Sequence, residues 1–308
     1  MKISRITLGT AQLGMQYGIA NITGKPDFNT AIKILKFAWE NGITSIDTSP
    51  AYGDIEKIIG SFIKSELMDN SENPFIISKL AFQIDKKDLS YDYIYNEIKQ
   101  SINQSLLDLK IEKIPIYMLH RPSDIYIKKG LIIECLDQIK NEGLIDKIGI
   151  SIYNLEDIKN ALKFKEINAI QVPSNIFDQR LLKSGIFKEL KEKSYTIFAR
   201  SIFLQGLFFL PFEEIPSYLD FAKEPLQRLH KILDDFNLDI VKACLLFVRA
   251  FPEIDSLVLG AENITQIKKN LEVLEEKPLS KEFIEKIMEE FSDIPENLVN
   301  PSLWNKIE

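Results

Sequence analysis

Only two cysteines, only two histidines and no long apolar run are the first limits this sequence sets. Cys135 and Cys244 stand far apart with no CxxC pair, and so few thiols and imidazoles lack the spacing of a zinc site. Neither a resident metal nor a disulfide framework is expected, and a reducing cytoplasm suits the chain. The longest apolar patches, at 207–212 and 244–248, fall far short of the roughly 20 residues a membrane helix needs. The opening MKISRITLGTAQLG has no apolar core of signal-peptide length and reads as a strand entering a turn. Positive charge is in deficit, with 38 Lys and Arg against 45 Asp and Glu and a net charge of -7. Such a chain has no basic field for phosphate backbones or anionic lipid, so neither nucleic acid nor a membrane is an expected partner. Ser/Gly-rich linkers, charge blocks and long repeats are missing as well, which predicts one domain over residues 1–308.

What is present is an alternation. Short apolar or β-rich runs start at Ile6, Thr44, Phe75, Ile116, Lys147, Ala169, Tyr195 and Ser256. Most are continuously apolar, the pattern of parallel strands covered on both faces. Between them lie amphipathic stretches at 30–41, 55–65, 92–109, 131–141, 156–163, 181–193 and 239–250. The stretch 92–109 is the clearest: Ile94, Ile98, Ile102, Leu106 and Leu109 recur at three- and four-residue spacing. Eight strand-then-helix units predict an α/β fold, a closed (β/α)8 TIM barrel. The alternation lengthens once: over fifty residues separate Ala199 from Ser256. The aromatic, Pro-containing start of that interval suits a long loop over the barrel mouth after strand seven.

Polar residues at the C-terminal ends of barrel strands face the mouth where active sites form. Strand two ends in IDTSPAYG, with Asp47 and then Tyr52; strand three ends in ISKL, with Lys79; strand four ends in MLHRP, with His120. Singly, each has an ordinary explanation as a turn cap, a loop aromatic, a solvated lysine or a core histidine. Together they make a chemical set. A lysine closing an apolar run needs a partner, and Asp47 supplies one. A neighbouring ammonium stabilises a phenolate, which makes Tyr52 beside Lys79 a usable proton donor. His120 is placed to donate a hydrogen bond to a carbonyl and restrict its approach.

The segments IDTSPAYG, ISKL and MLHRP resemble, in order and approximate spacing, the signature segments of the aldo-keto reductase superfamily, and the resemblance covers nearly the whole chain. It implies an NAD(P)(H)-dependent oxidoreductase that reduces a small carbonyl substrate by hydride transfer, with a catalytic tetrad of Asp47, Tyr52, Lys79 and His120. It also implies a cofactor, NADP(H) or NAD(H), extended across the mouth, with Asp47 near it. LGTAQLG resembles the first-strand motif and places Thr10 there; GIS and IQVPSN imply that Ser151 and Gln171 hold the carboxamide. ARSIFLQG adds Arg200, Ser201 and Gly206, and LGAENITQIKKNL resembles the adenosine-end motif, adding Gly260, Glu262, Gln266 and Asn270. A helix N-terminus there also favours phosphate.

Three positions depart from the family pattern. Ile152 replaces an amide ligand, and Arg200 replaces the aromatic that stacks on the nicotinamide; its guanidinium can stack on a flat ring or bind a substrate or cofactor anion. Glu262 stands where users of NADP present a cation, and a carboxylate there repels a 2′-phosphate, although Lys268 or Lys269 can compensate. NAD(H) and NADP(H) both stay open. The segment LGTAQLGMQYGIAN resembles a bacterial subgroup associated with surface sugar biosynthesis, which implies a sugar-derived carbonyl, and Arg121 and Arg200 near the mouth are candidates for acidic sugar groups. Two other readings remain: a dinucleotide-binding regulatory barrel with little turnover, and a lyase or isomerase using Lys79 as a Schiff-base amine.

Overall fold

The computed structural model describes residues 2–67, 73–81 and 89–304. Eight parallel strands close into a barrel in sequence order: β1 (Ile6–Gly9), β2 (Ser45–Asp47), β3 (Phe75–Leu80), β4 (Ile114–Leu119), β5 (Ile145–Ser151), β6 (Ile167–Pro173), β7 (Thr196–Arg200) and β8 (Ser256–Gly260). β8 pairs back onto β1, with Gly260 opposite Gly9. Helices α1 (Phe28–Glu40), α2 (Ile55–Glu66), α3 (Tyr91–Leu109), α4 (Leu131–Asn141), α5 (Leu155–Ala161) and α6 (Ile186–Glu192) return the chain between strands. After β7 come α7 (Lys223–Asp235) and α8 (Ile240–Arg249), then α9 (Ile264–Leu274) and α10 (Lys281–Glu290) follow β8. Among the described residues, no helix is long and apolar enough to cross a membrane.

The sequence patterns explain these elements. In α3 the stripe of Ile94, Ile98, Ile102, Leu106 and Leu109 is buried against the barrel, while Ser90 accepts from the backbone N–H of Tyr93 at its start. Asp27, Asn154, Asp239, Asn263 and Ser280 cap other helices in the same way. The 181–193 pattern, read from periodicity as one helix, is two: Arg180–Lys183 and α6, broken where Gly185 takes a φ of 72°. The long interval after β7 opens with irregular 3-10 turns from Leu204 to Ala222 before α7 and α8. Residues 201–222 form the long loop, and α7 and α8 take up most of the remainder.

Two apolar layers hold the barrel. Outward-facing strand residues pack on the helices, and a small inner cluster of Ile77, Ile116, Met118, Ala169 and Phe198 fills the interior. Because side chains alternate along a strand, a residue two positions after an inward one also points inward. Lys79 follows Ile77, His120 follows Met118, Gln171 follows Ala169 and Arg200 follows Phe198. The interior packing thereby aims four polar side chains at the open end. Gly149, paired with Met118, makes room for this layer: a Cβ there would lie 2.7 Å from Met118 Cγ.

Candidate active site

Asp47 and Lys79 face each other at the mouth, on β2 and β3. Lys79 is 1% exposed and Asp47 4%. The Lys79 ammonium donates to Asp47 Oδ1 at 2.6 Å and to the Thr48 carbonyl at 3.1 Å, and the Gln171 amide donates to Asp47 Oδ2 at 2.7 Å. Burial opposes the lysine charge, but Asp47 and then Tyr52 outweigh it and hold the Lys79 pKa above its ordinary value. The amine is therefore an ammonium throughout the neutral range.

Tyr52 reaches the same point from the β2–α2 loop. Its ring lies 5.2 Å from Lys79 Nζ and meets the His120 ring edge-on at a centroid distance of 5.9 Å. The loop is fixed by close backbone contact: a Cβ on Gly14 would lie 1.8 Å from the Tyr52 carbonyl oxygen, so only glycine lets the short helical turn Ala11–Gly14 approach this closely. His120 is half-buried, and its pKa is lowered to about 4, first by burial and then by the Lys79 charge. At neutral pH its ring is uncharged and retains one N–H donor.

A cavity of about 480 Å³ runs from Asp47 and Tyr52 across the mouth to the start of α9. Thr10, Gln171, Arg200, Ser201, Gly206, Gly260, Glu262, Gln266 and Asn270 all line it. Ser151 does not: it is buried at the end of β5, paired with Gln171 and outside the lining. Lys269 lines the same end as Glu262, whereas Lys268 faces elsewhere, in a 3.9 Å pair with Glu272. Burial raises the pKa of the half-buried Glu262 carboxyl, while a hydrogen bond from Gln266 opposes this. Gln266 Oε1 in turn accepts from the Glu262 backbone N–H at 2.8 Å.

Several wall residues escaped the sequence reading. Tyr17 and Gln205 meet over the cavity, where Gln205 Nε2 donates to the Tyr17 hydroxyl at 3.3 Å and the Ile19 N–H donates to the Gln205 carbonyl at 2.9 Å. Burial, then the neighbouring Tyr52, raises the Tyr17 pKa. The loops after β1 and β7 thus form one wall, and Gly206, at a φ of 92°, fits against Ala20 where a Cβ would lie 2.7 Å away. The departure at Ile152 also acquires a structural role. Its side chain is fully buried, and its carbonyl accepts from Arg200 Nη2 at 3.0 Å. Arg121 pairs instead with Asp124 at 3.2 Å. A second buried acid, Glu56, stands behind β3 and accepts from Ser78 at 2.7 Å.

Proteins of similar sequence and of similar fold are known. A protein of Bacillus subtilis named as an uncharacterized oxidoreductase is 26% identical over 90% of this chain and 93% of its own length. An NADH-specific methylglyoxal reductase of Escherichia coli is 23% identical over 88% of this chain and 90% of its own. Among solved structures, the holo form of an aldo-keto reductase from Bacillus halodurans superposes with a TM-score of 0.72 at 24% identity, covering 94% of this chain and 93% of that one. The model of the aldo/keto reductase family matches residues 5–290, from the residue before β1 to the last residue of α10, and a match of that extent means that the chain belongs to this family.

Proposed function

We propose that the chain reduces an aldehyde or ketone to an alcohol with a nicotinamide dinucleotide as reductant. The observation that carries this reading is the position of Tyr52, its ring 5.2 Å from the Lys79 ammonium and edge-on to the His120 ring at 5.9 Å, at one end of the cavity. When bound, the dinucleotide supplies a hydride to the carbonyl carbon and leaves oxidised. Tyr52 gives its hydroxyl proton to the carbonyl oxygen as the C–O π electron pair shifts onto that oxygen, so that the carbon gains the hydride and the oxygen the proton to give the alcohol. Lys79, kept charged by Asp47, stabilises the phenolate left behind, and the neutral His120 N–H donates to the carbonyl oxygen.

The residues present fit such a cofactor. The cavity is continuous from the reacting end to α9, and Gln171 spends its N–H on Asp47 while its carbonyl is left to accept from a carboxamide. Thr10, Ser201, Gly206, Gly260, Gln266 and Asn270 would line the rest, with Ser151 supporting Gln171 from the neighbouring strand. Glu262 favours a free ribose hydroxyl and Lys269 a phosphate, so NADH and NADPH are to be titrated side by side. Relatives named as a D-threo-aldose 1-dehydrogenase of Pseudomonas and an L-galactose dehydrogenase of Arabidopsis support a sugar-derived substrate. The Schiff-base reading is disfavoured, because it requires a neutral amine and Asp47 keeps Lys79 protonated.

Tyr52→Phe tests the proposal by removing the proton donor alone. Reduction of an aldehyde panel should fall about 10²- to 10⁴-fold while the dinucleotide Kd shifts by less than about twofold. Activity retained in this variant sinks the mechanism, and wild-type dinucleotide binding without turnover points to a regulatory barrel.

A further inference from the structure

The charges at the barrel mouth do not balance. Asp47 and Lys79 cancel, His120 is neutral near pH 7, and Arg121 pairs with Asp124. Arg200 remains. Among the described residues it makes no ion pair with any carboxylate. Its hydrogen bonds go to neutral acceptors, from Nη2 to the Ile152 carbonyl at 3.0 Å and from Nη1 to Ser201 Oγ at 3.2 Å. Its Nε is buried with no partner. A half-buried cation held this way is costly unless something outside the chain neutralises it.

The side chain is nonetheless well positioned. β7 aims it inward after Phe198, the Ile152 carbonyl anchors one nitrogen, and its guanidinium lies 4.7 Å from the centre of the Tyr153 ring. It lines the same cavity as Tyr52, and its charge acts on both His120 and Tyr17. Glu262 and Lys269 line the cavity where β8 leads into α9, whereas Arg200 stands on β7 beside β6, whose Gln171 donates to Asp47. A planar guanidinium there matches a carboxylate, whose two oxygens accept parallel N–H donors.

We infer that the site selects carbonyl compounds bearing a carboxylate near the reacting carbon, oxo acids over neutral aldehydes, with Arg200 as the specificity residue. This rests on the reductase reading and names its substrate class. The carboxylate neutralises Arg200 while the carbonyl oxygen lies between Tyr52 and His120, so one charged contact orients the substrate for reduction.

The test compares glyoxylate and succinic semialdehyde with neutral glycolaldehyde and butanal. It uses the wild type, Arg200→Gln and Arg200→Lys, together with the dinucleotide Kd and calorimetric titration of malonate onto the chain without dinucleotide. In Arg200→Gln the oxo-acid to neutral ratio of kcat/KM should fall about 10- to 100-fold, mostly through KM, and malonate binding should weaken comparably. Arg200→Lys, which keeps the charge and loses the fork, should recover part of the selectivity. A ratio that moves less than about threefold in both variants overturns the inference. So does a raised dinucleotide Kd at constant ratio, which assigns Arg200 to a cofactor phosphate. If the wild type binds no dinucleotide, the reductase reading fails instead, and Arg200-dependent malonate binding still decides whether the anion site exists.

Discussion

Removing the negative charge of Asp47 without changing its size isolates the energetics of the buried pair. In Asp47→Asn the Lys79 ammonium, 1% exposed, loses the carboxylate charge that stands 2.6 Å away and keeps neutral oxygen acceptors, the Thr48 carbonyl and the Tyr52 hydroxyl among them. Breaking a buried ion pair from one side costs about 3–5 kcal/mol. With an unfolding entropy of about 2.1 cal/mol/K per residue over 308 residues, that corresponds to a Tm lowered by about 5–8 °C. The loss depends on pH, with a definite sign. In the wild type the Lys79 pKa lies above its unfolded value of about 10.4, so its stabilisation is full below that pH and lost as pH rises through the folded value. In the variant, burial without Asp47 pushes the lysine down, so stability is lost as pH falls from about 10.4. The gap between the two proteins should be widest near pH 7 and narrow toward pH 10 and above. Differential scanning calorimetry across this range is the assay, and adding Lys79→Met to Asp47→Asn should recover most of the lost Tm. A drop below about 2 °C at pH 7, or a gap that does not change with pH, would refute the account of a charged, buried lysine.

Two further outcomes follow from the same geometry. His120 has a folded pKa of about 4 against about 6.5 unfolded, so the unfolded chain takes up the proton first. Its contribution is therefore complete above about pH 6.5 and is lost as pH falls toward 4, up to about 3 kcal/mol. Urea unfolding of His120→Gln beside the wild type should show the wild type losing more stability over that interval, and parallel curves would contradict the neutral imidazole. Gly14→Ala should destabilise the chain by at least about 2 kcal/mol and depress turnover more than dinucleotide binding, because the new Cβ would lie 1.8 Å from the Tyr52 carbonyl and displace that loop. Unchanged kinetics in a folded Gly14→Ala chain would show that the contact does not position Tyr52.

Sequence alone went far here because strand polarity is a local property. Eight apolar runs alternating with amphipathic stretches admit little other than a barrel, and a residue's parity along its strand decides whether it points inward. Asp47, Lys79 and His120 were legible on those grounds, as strand-end residues, whereas Gln171 was legible only through the resemblance of IQVPSN to a family segment. The break at Gly185 was not, because a periodic pattern runs through a left-handed residue without changing its spacing. What only the tertiary structure decided is what closure brings together. Pairing of β8 onto β1 lets the loops after β7 and β1 meet, so Gln205 reaches Tyr17 across 188 positions of sequence. It also left Ser151 outside the cavity lining, put Lys269 rather than Lys268 beside Glu262, and left Arg200 with a carbonyl and a ring where a cation calls for an anion. Periodicity specifies which way a side chain points; only the assembled barrel determines what it meets.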